Sequence, residues 1–151
     1  CLYLSEFFEH RNSEYQDRLL AVSSRDAWTE WCRFFLGAIE TQAVENLSKA
    51  QAIHGLYRDT LLRVTKKIHA EETDDAISCL FRSAIFQSNI FIKQAHMSET
   101  TSRRLISFLK SEGLIVELAP HKGARPAILA FPELLEITDG VTFGRPPSLA
   151  D

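Results

Sequence analysis

The stretch Met97-Ser-Glu-Thr-Thr-Ser-Arg-Arg-Leu-Ile-Ser-Phe-Leu-Lys-Ser-Glu-Gly-Leu-Ile115 constrains the fold more than any other part of the chain. Several independent requirements coincide in it. Ser98 is suited to cap a helix, because its hydroxyl can accept from backbone N–H groups that the first turn leaves unpaired. Gly113 stands where a helix needs a left-handed residue to stop. Between them, Thr101, Ser102, Leu105, Ile106, Phe108 and Leu109 fall inward or sideways at helical spacing. Glu99, Thr100, Arg103 and Arg104 are left for solvent or a ligand. The spacing predicts one helix from Ser98 to Glu112.

The flanking residues extend the pattern. Glu71 to Asp75 reads as a polar, acidic link. A helix is expected from Ala76 to about Arg82, burying Ile77, Leu80 and Phe81, and Ala84-Ile-Phe reads as a short strand. Ser88 can cap a short helix carrying Phe91 and Ile92, and Ala95-His96-Met97 makes a turn. His96 replaces the glycine usual in such a turn, so a positive φ there is mildly strained. Leu114 to Leu118 alternates as a strand does, His121-Lys-Gly-Ala-Arg125 is a tight basic hairpin tip, and Ala127 to Phe131 can return as the second strand. Pro132 to Ile137 suggests one more short helix, and the tail from Gly140, with Pro146-Pro147, reads as loose. Helix, short strand, helix, tight turn, helix, hairpin is the arrangement of a winged helix-turn-helix, here Ala84 to Phe131, with Ser98 to Glu112 as its recognition helix.

The upstream half reads as helical. Ser5 can cap a helix starting at Glu6, with Phe7, Phe8, Tyr15, Leu19 and Leu20 close to one face and a break at Asn12 and Ser13. Ser23 to Arg25 reads as a second break, and Asp26 as the N-cap of a longer helix. Trp28, Trp31, Phe35, Ile39, Ala43, Leu47 and Ala50 then recur at helical steps, widened by Phe34 and Leu36, and Trp28 and Trp31 read as a buried face. The pattern continues through Ile53, Tyr57, Leu61, Leu62, Val64 and Ile68. No proline interrupts it before Pro120, although Gly37 and Gly55 each cost a helix roughly 1 kcal/mol and allow a kink near Gly55. So wide an apolar face must pack on something, either a missing part of a parent protein or a second copy of this chain, and a homodimer through the long helices is expected. The expected fold is mainly α, a long helical segment followed by a winged helix-turn-helix with a small two- or three-stranded wing sheet. The expected divisions are a helical segment at 1–72, the winged helix at 73–140 and a flexible tail at 141–151.

Charge bears on the partner. The chain carries a net −3, but residues 73–131 hold seven Lys and Arg against five Asp and Glu, while the segments on either side are acidic. The excess permits nucleic-acid binding without demanding it. A helix fits the major groove of B-form DNA and presents its first turns to base edges, while a basic hairpin tip meets phosphates. The expected DNA contacts are Arg103 and Arg104 at the groove, Ser98 and Thr100 donating to phosphates near the helix start, and Lys122 and Arg125 on the wing. Glu99 argues the other way, for a module that contacts protein.

Other chemistries find little support. Cys1, Cys32 and Cys79 are odd in number and widely spaced, and none of His10, His54, His69, His96 and His121 pairs at metal-ligand spacing. No Gly-rich phosphate loop and no Gly-x-Ser-x-Gly occurs, and the Glu71-Glu72 and Asp74-Asp75 pairs read as solvated. No catalytic residue, metal or cofactor is expected. No apolar run approaches the roughly 20 residues of a membrane span, and the start lacks the features of a signal peptide, so a cytoplasmic location is expected. The start also lacks Met, which fits a piece of a longer protein.

Two stretches carry a family resemblance. They are Leu2-Tyr-Leu-Ser-Glu-Phe-Phe-Glu-His-Arg-Asn-Ser-Glu-Tyr-Gln-Asp-Arg-Leu-Leu-Ala-Val-Ser23 and Trp28-Thr-Glu-Trp-Cys-Arg-Phe-Phe-Leu-Gly-Ala-Ile39. Both resemble the segment after the catalytic helix of Fic (filamentation induced by cAMP) proteins, many of whose longer bacterial members continue into a winged helix. The resemblance implies a parent that transfers AMP from ATP to a hydroxyl of a target protein. The family's His-Pro-Phe-x-Asp-Gly-Asn-Gly-Arg motif is absent from this sequence, so the resemblance places the active site in an upstream Fic domain and carries no catalytic residue over. Thr41-Gln-Ala-Val-Glu45-Asn46 fits the loose pattern of the family's inhibitory helix, against the plainer reading of a solvent-facing helix. The implied roles are regulation or targeting through DNA, or docking of a substrate protein.

Overall fold

The computed structural model describes residues 4–68 and 73–140, together with Thr142. The fold is mainly helical with one small antiparallel sheet. It divides into two compact units at Gln51/Ala52, inside the long helix α3 (Trp28–Thr65).

The first unit comprises α1 (Leu4–His10), α2 (Asn12–Arg25) and the leading turns of α3. Its core is aromatic. Phe7, Phe34 and Ala38 are buried, and Phe8, Tyr15 and Trp31 pack against them with ring centroids 5.0 to 6.0 Å apart. Several local expectations are corrected. Ser5 lies inside α1 rather than before it, and the break falls at Arg11, one residue ahead of Asn12. Asp26 does not cap α3. It sits left-handed at φ 56° and closes α2, its N–H donating to the Val22 carbonyl while the Ala27 N–H donates to that of Ala21. Asp tolerates this region better than most residues, which lets it end a helix as glycine does. The helix α3 runs without interruption through Gly37 and Gly55. Its buried row in this unit is Phe34, Ala38 and Gln42, while Trp28, Leu36 and Leu47 are 56%, 63% and 60% exposed. The expected buried face of Trp28, Ala43 and Leu47 is thus overturned. The short α1 presents little beyond Phe7 and Phe8 to α3, enough to cover one row and not a broad stripe.

The second unit is built on the last turns of α3. Leu56, Val64 and Ile68 join Ala76, Ile77 and Leu80 of α4 (Thr73–Arg82) in one core with Phe91, Leu105, Leu109, Leu129 and Phe131. The hydroxyl of Tyr57 donates to Asp74 Oδ1 at 2.7 Å and lies 3.0 Å from Ser78 Oγ, joining α3 to α4. Burial pushes the Tyr57 phenol above its ordinary pKa; the Ser78 hydrogen bond pulls it down, and the bond to Asp74 pushes it up. α4 begins earlier than the expected Ala76, taking Asp74 and Asp75 into a first turn that favours negative charge. Glu71 and Glu72 lie outside the described residues, as do Pro146 and Pro147.

The sheet follows. β1 (Ile85–Gln87), β2 (Val116–Ala119) and β3 (Ile128–Ala130) lie in the order β1-β3-β2, antiparallel throughout, with Phe86 opposite Leu129 and Val116 opposite Ala130. A bulge between Glu117 and Ala119 leaves Leu118 45% exposed and breaks the expected alternation there. α5 (Ser88–Gln94) corrects the role of Ser88: it opens the helix, and its N–H donates to the Ala127 carbonyl, continuing the strand pairing instead of capping with the hydroxyl. α6 (Glu99–Ser111) and α7 (Pro132–Asp139) complete the unit, α7 with proline at its start and left-handed Gly140 at its end. The path α4, β1, α5, turn, α6, β2, β3, with the β1-β3-β2 order, is the winged-helix topology the sequence implies.

Candidate nucleic-acid interface

The recognition-helix position belongs to α6. Ser98 caps it, its Oγ accepting from the Thr101 N–H at 3.2 Å and lying 2.8 Å from Thr101 Oγ1. His96, in the turn from α5, is left-handed at φ 54°, the mildly strained conformation expected where glycine is usual. Buried Leu105 and Leu109 and half-buried Phe108 hold α6 against the core, and Gly113 at φ 69° ends it. The inward face also buries Ser102, whose Oγ has no hydrogen-bond partner among the described residues.

The outward face is polar. Thr100, Arg103, Arg104, Ser107 and Ser111 are all exposed and recur at three- and four-residue steps, a row of roughly 16 Å along the helix. Arg103 is not free within it. Its Nε and one terminal nitrogen both donate to Glu99 Oε1, at 3.0 and 2.7 Å. Arg104 has no carboxylate within ion-pair distance among the described residues. Glu99 therefore does not merely dilute the charge of the helix start; it occupies one of the two arginines. The four-residue spacing of Glu99 and Arg103 is the signal for that pairing, which the sequence reading did not draw.

The wing supplies the second group. Lys122 and Arg125 exchange both backbone hydrogen bonds, N to O at 3.1 and 3.0 Å, around the two-residue tip Gly123-Ala124. Gly123 has φ 60°, as a type II′ hairpin requires at its first central position. Both basic side chains are exposed and unpaired among the described residues. The wing is fixed to the recognition helix at its base. Lys110 of α6 pairs with Glu117 of β2, and the Leu109 carbonyl accepts from the N–H groups of Leu114 and Ile115. That tie escaped the sequence reading, because its partners stand seven positions apart with a turn between them.

The six expected contacts thus fall into an α6 group of Ser98, Thr100, Arg103 and Arg104, and a wing group of Lys122 and Arg125. Ser98 spends its hydroxyl on the cap, so its expected phosphate contact is reduced to the backbone at the helix start. Among the described residues no cluster of His, Cys, Asp or Glu could hold a metal ion, and no helix is long and apolar enough to cross a membrane. In the Thr41–Asn46 stretch, exposed Glu45 accepts from Gln42 Nε2 at 2.7 Å on the surface of α3.

No known protein family matches the chain. No curated protein matches it either.

Proposed function

We propose that the winged helix binds double-stranded DNA, with α6 in the major groove and the wing along the backbone. The observation that carries this reading is the pairing pattern of the basic residues. Arg104, Lys122 and Arg125 stand exposed with no carboxylate partner among the described residues, on the two elements that a winged helix lays against DNA. Arg104 reads a base edge or clamps a phosphate; Lys122 and Arg125 take phosphates. The module has a regulatory or targeting role and no catalytic one, and the parent would be a Fic-like protein carrying its chemistry upstream. Fluorescence anisotropy with a random duplex library at low salt tests this. Binding that Arg104→Ala and the double change Lys122→Ala, Arg125→Ala each weaken supports the proposal, and undetectable binding at low salt overturns it.

One observation favours a second reading, a dimerisation or protein-docking module. Leu36, Val44 and Leu47 lie exposed near one face of α3 in the first unit, where a partner helix would cover them. A mass that rises with concentration in sedimentation experiments, and that Leu47→Arg holds at the monomer value, supports a second copy as that partner. A monomer at all concentrations removes the homodimer.

A further inference from the structure

The second unit contains a cavity that the DNA reading does not use. It has a volume of about 490 Å³ and lies where the end of α4 meets β1, α5 and Ile128 of β3. That size falls within the roughly 300 to 1,000 Å³ of small-molecule sites. Arg82, Ile85, Gln87 and Ile90 of its lining are exposed, so the cavity opens to solvent.

Its chemistry is narrow. Ile85, Ile90 and Ile128 line it and are 45%, 43% and 36% exposed. Isolated exposed isoleucines mean little, but three converging on one concavity, with Phe91 beneath, make an apolar seat. Arg82 carries the one formal charge among the lining residues, and it has no carboxylate partner among the described residues. No acidic side chain lines the wall. The remaining polar groups are neutral, among them the Cys79 thiol, which donates to Gln94 Oε1 at 3.5 Å. Burial holds that thiol in its protonated form, against a smaller opposing pull from Arg82. An apolar cup with a single unpartnered guanidinium at its rim complements one kind of ligand.

We propose that this cavity binds a small amphipathic monoanion, an apolar body on Ile85, Ile90 and Ile128 with its carboxylate on Arg82. The guanidinium offers a planar fork of N–H donors that matches a carboxylate. The proposal stands independently of DNA binding, since none of the DNA contacts lines the cavity.

The test titrates octanoate into the full chain, followed by calorimetry and by backbone amide shifts, with octanol as the uncharged analogue. Octanoate is expected to saturate a single site and to move amides at 79–94 and 128. It should bind at least about tenfold more tightly than octanol, the usual margin for a hydrogen-bonded charge. Arg82→Gln should bring octanoate down to the octanol level and leave octanol binding unchanged, which also shows that the cavity still folds. Ile90→Glu should weaken both ligands. Failure of octanoate to saturate, equal affinity for the two ligands, or octanoate affinity unmoved by Arg82→Gln overturns the proposal.

Discussion

Replacing Glu99 with Gln tests the DNA reading at the point where structure and composition disagree. In the folded protein two N–H groups of Arg103 are held by one oxygen of Glu99, at the start of the helix that would enter the groove. An exposed pair of this kind contributes only about 0.3–0.5 kcal/mol to the helix, so Glu99→Gln should leave the fold intact. Its effect on binding should be larger. With Arg104, Lys122 and Arg125 as the phosphate-neutralising cations, the logarithm of affinity should fall with the logarithm of salt at a slope of about −2.7. Freeing Arg103 adds one contact and steepens the slope to about −3.6. Between about 50 and 200 mM salt the wild-type chain should lose roughly 40-fold in affinity and the variant roughly 150-fold. The variant should also bind more tightly at the low-salt end, because an anion facing the phosphates has gone. Fluorescence anisotropy with one duplex over a series of salt concentrations measures both quantities. An unchanged slope would show that Arg103 already leaves Glu99 for phosphate, or never reaches it, and the sequestration argument would fail.

Four further outcomes concern the frame that holds the interface. Ser102→Ala removes a buried hydroxyl with no partner among the described residues, and should stabilise the chain by about 1–2 kcal/mol in urea unfolding; a loss of stability would reveal a partner for Oγ. Ser98→Ala, on the same helix, should instead cost about 1 kcal/mol, because Oγ accepts from Thr101 N. His96→Gly relieves a left-handed residue and should raise the thermal midpoint by a few degrees; an unchanged or lower midpoint would show that His96 bears no net strain there. Tyr57 keeps its proton more firmly when folded than unfolded, so its contribution is fully present below the ordinary phenol value of 10.0 and is lost as pH rises through the higher folded value. Tyr57→Phe should therefore cost about 1 kcal/mol at neutral pH and flatten the alkaline decline in stability, as read by unfolding at a series of pH values.

What was legible in the sequence was what depends on neighbours along the chain. The Ser98 cap, the stop at Gly113, the left-handed His96 and the tight tip within His121 to Arg125 each follow from residues a few positions apart, and each stands where expected. The same local logic misassigned Asp26 and Ser88, because a residue that can cap can also close the preceding helix or continue a strand. Long-range covering was harder to read. The apolar stripe of α3 looked uniform, yet Phe34 is buried and Leu36 is not, since only contacts with α1 and α2 decide which row is covered. The cavity beside Arg82 had no sequence signal at all: its three isoleucines come from a strand, a helix and a second strand, and meet only after folding.

The hairpin tip has a consequence for how such a protein can change. Residues 120–125 are all exposed, and the core of the second unit takes nothing from them. Lengthening such a loop costs slowly, about 0.6 kcal/mol for each doubling. Insertions at Gly123-Ala124 therefore amount to a nearly neutral mutational path. Along it a lineage could gain or lose basic residues, and so retune what the wing touches, without renegotiating the packing that keeps α6 in place.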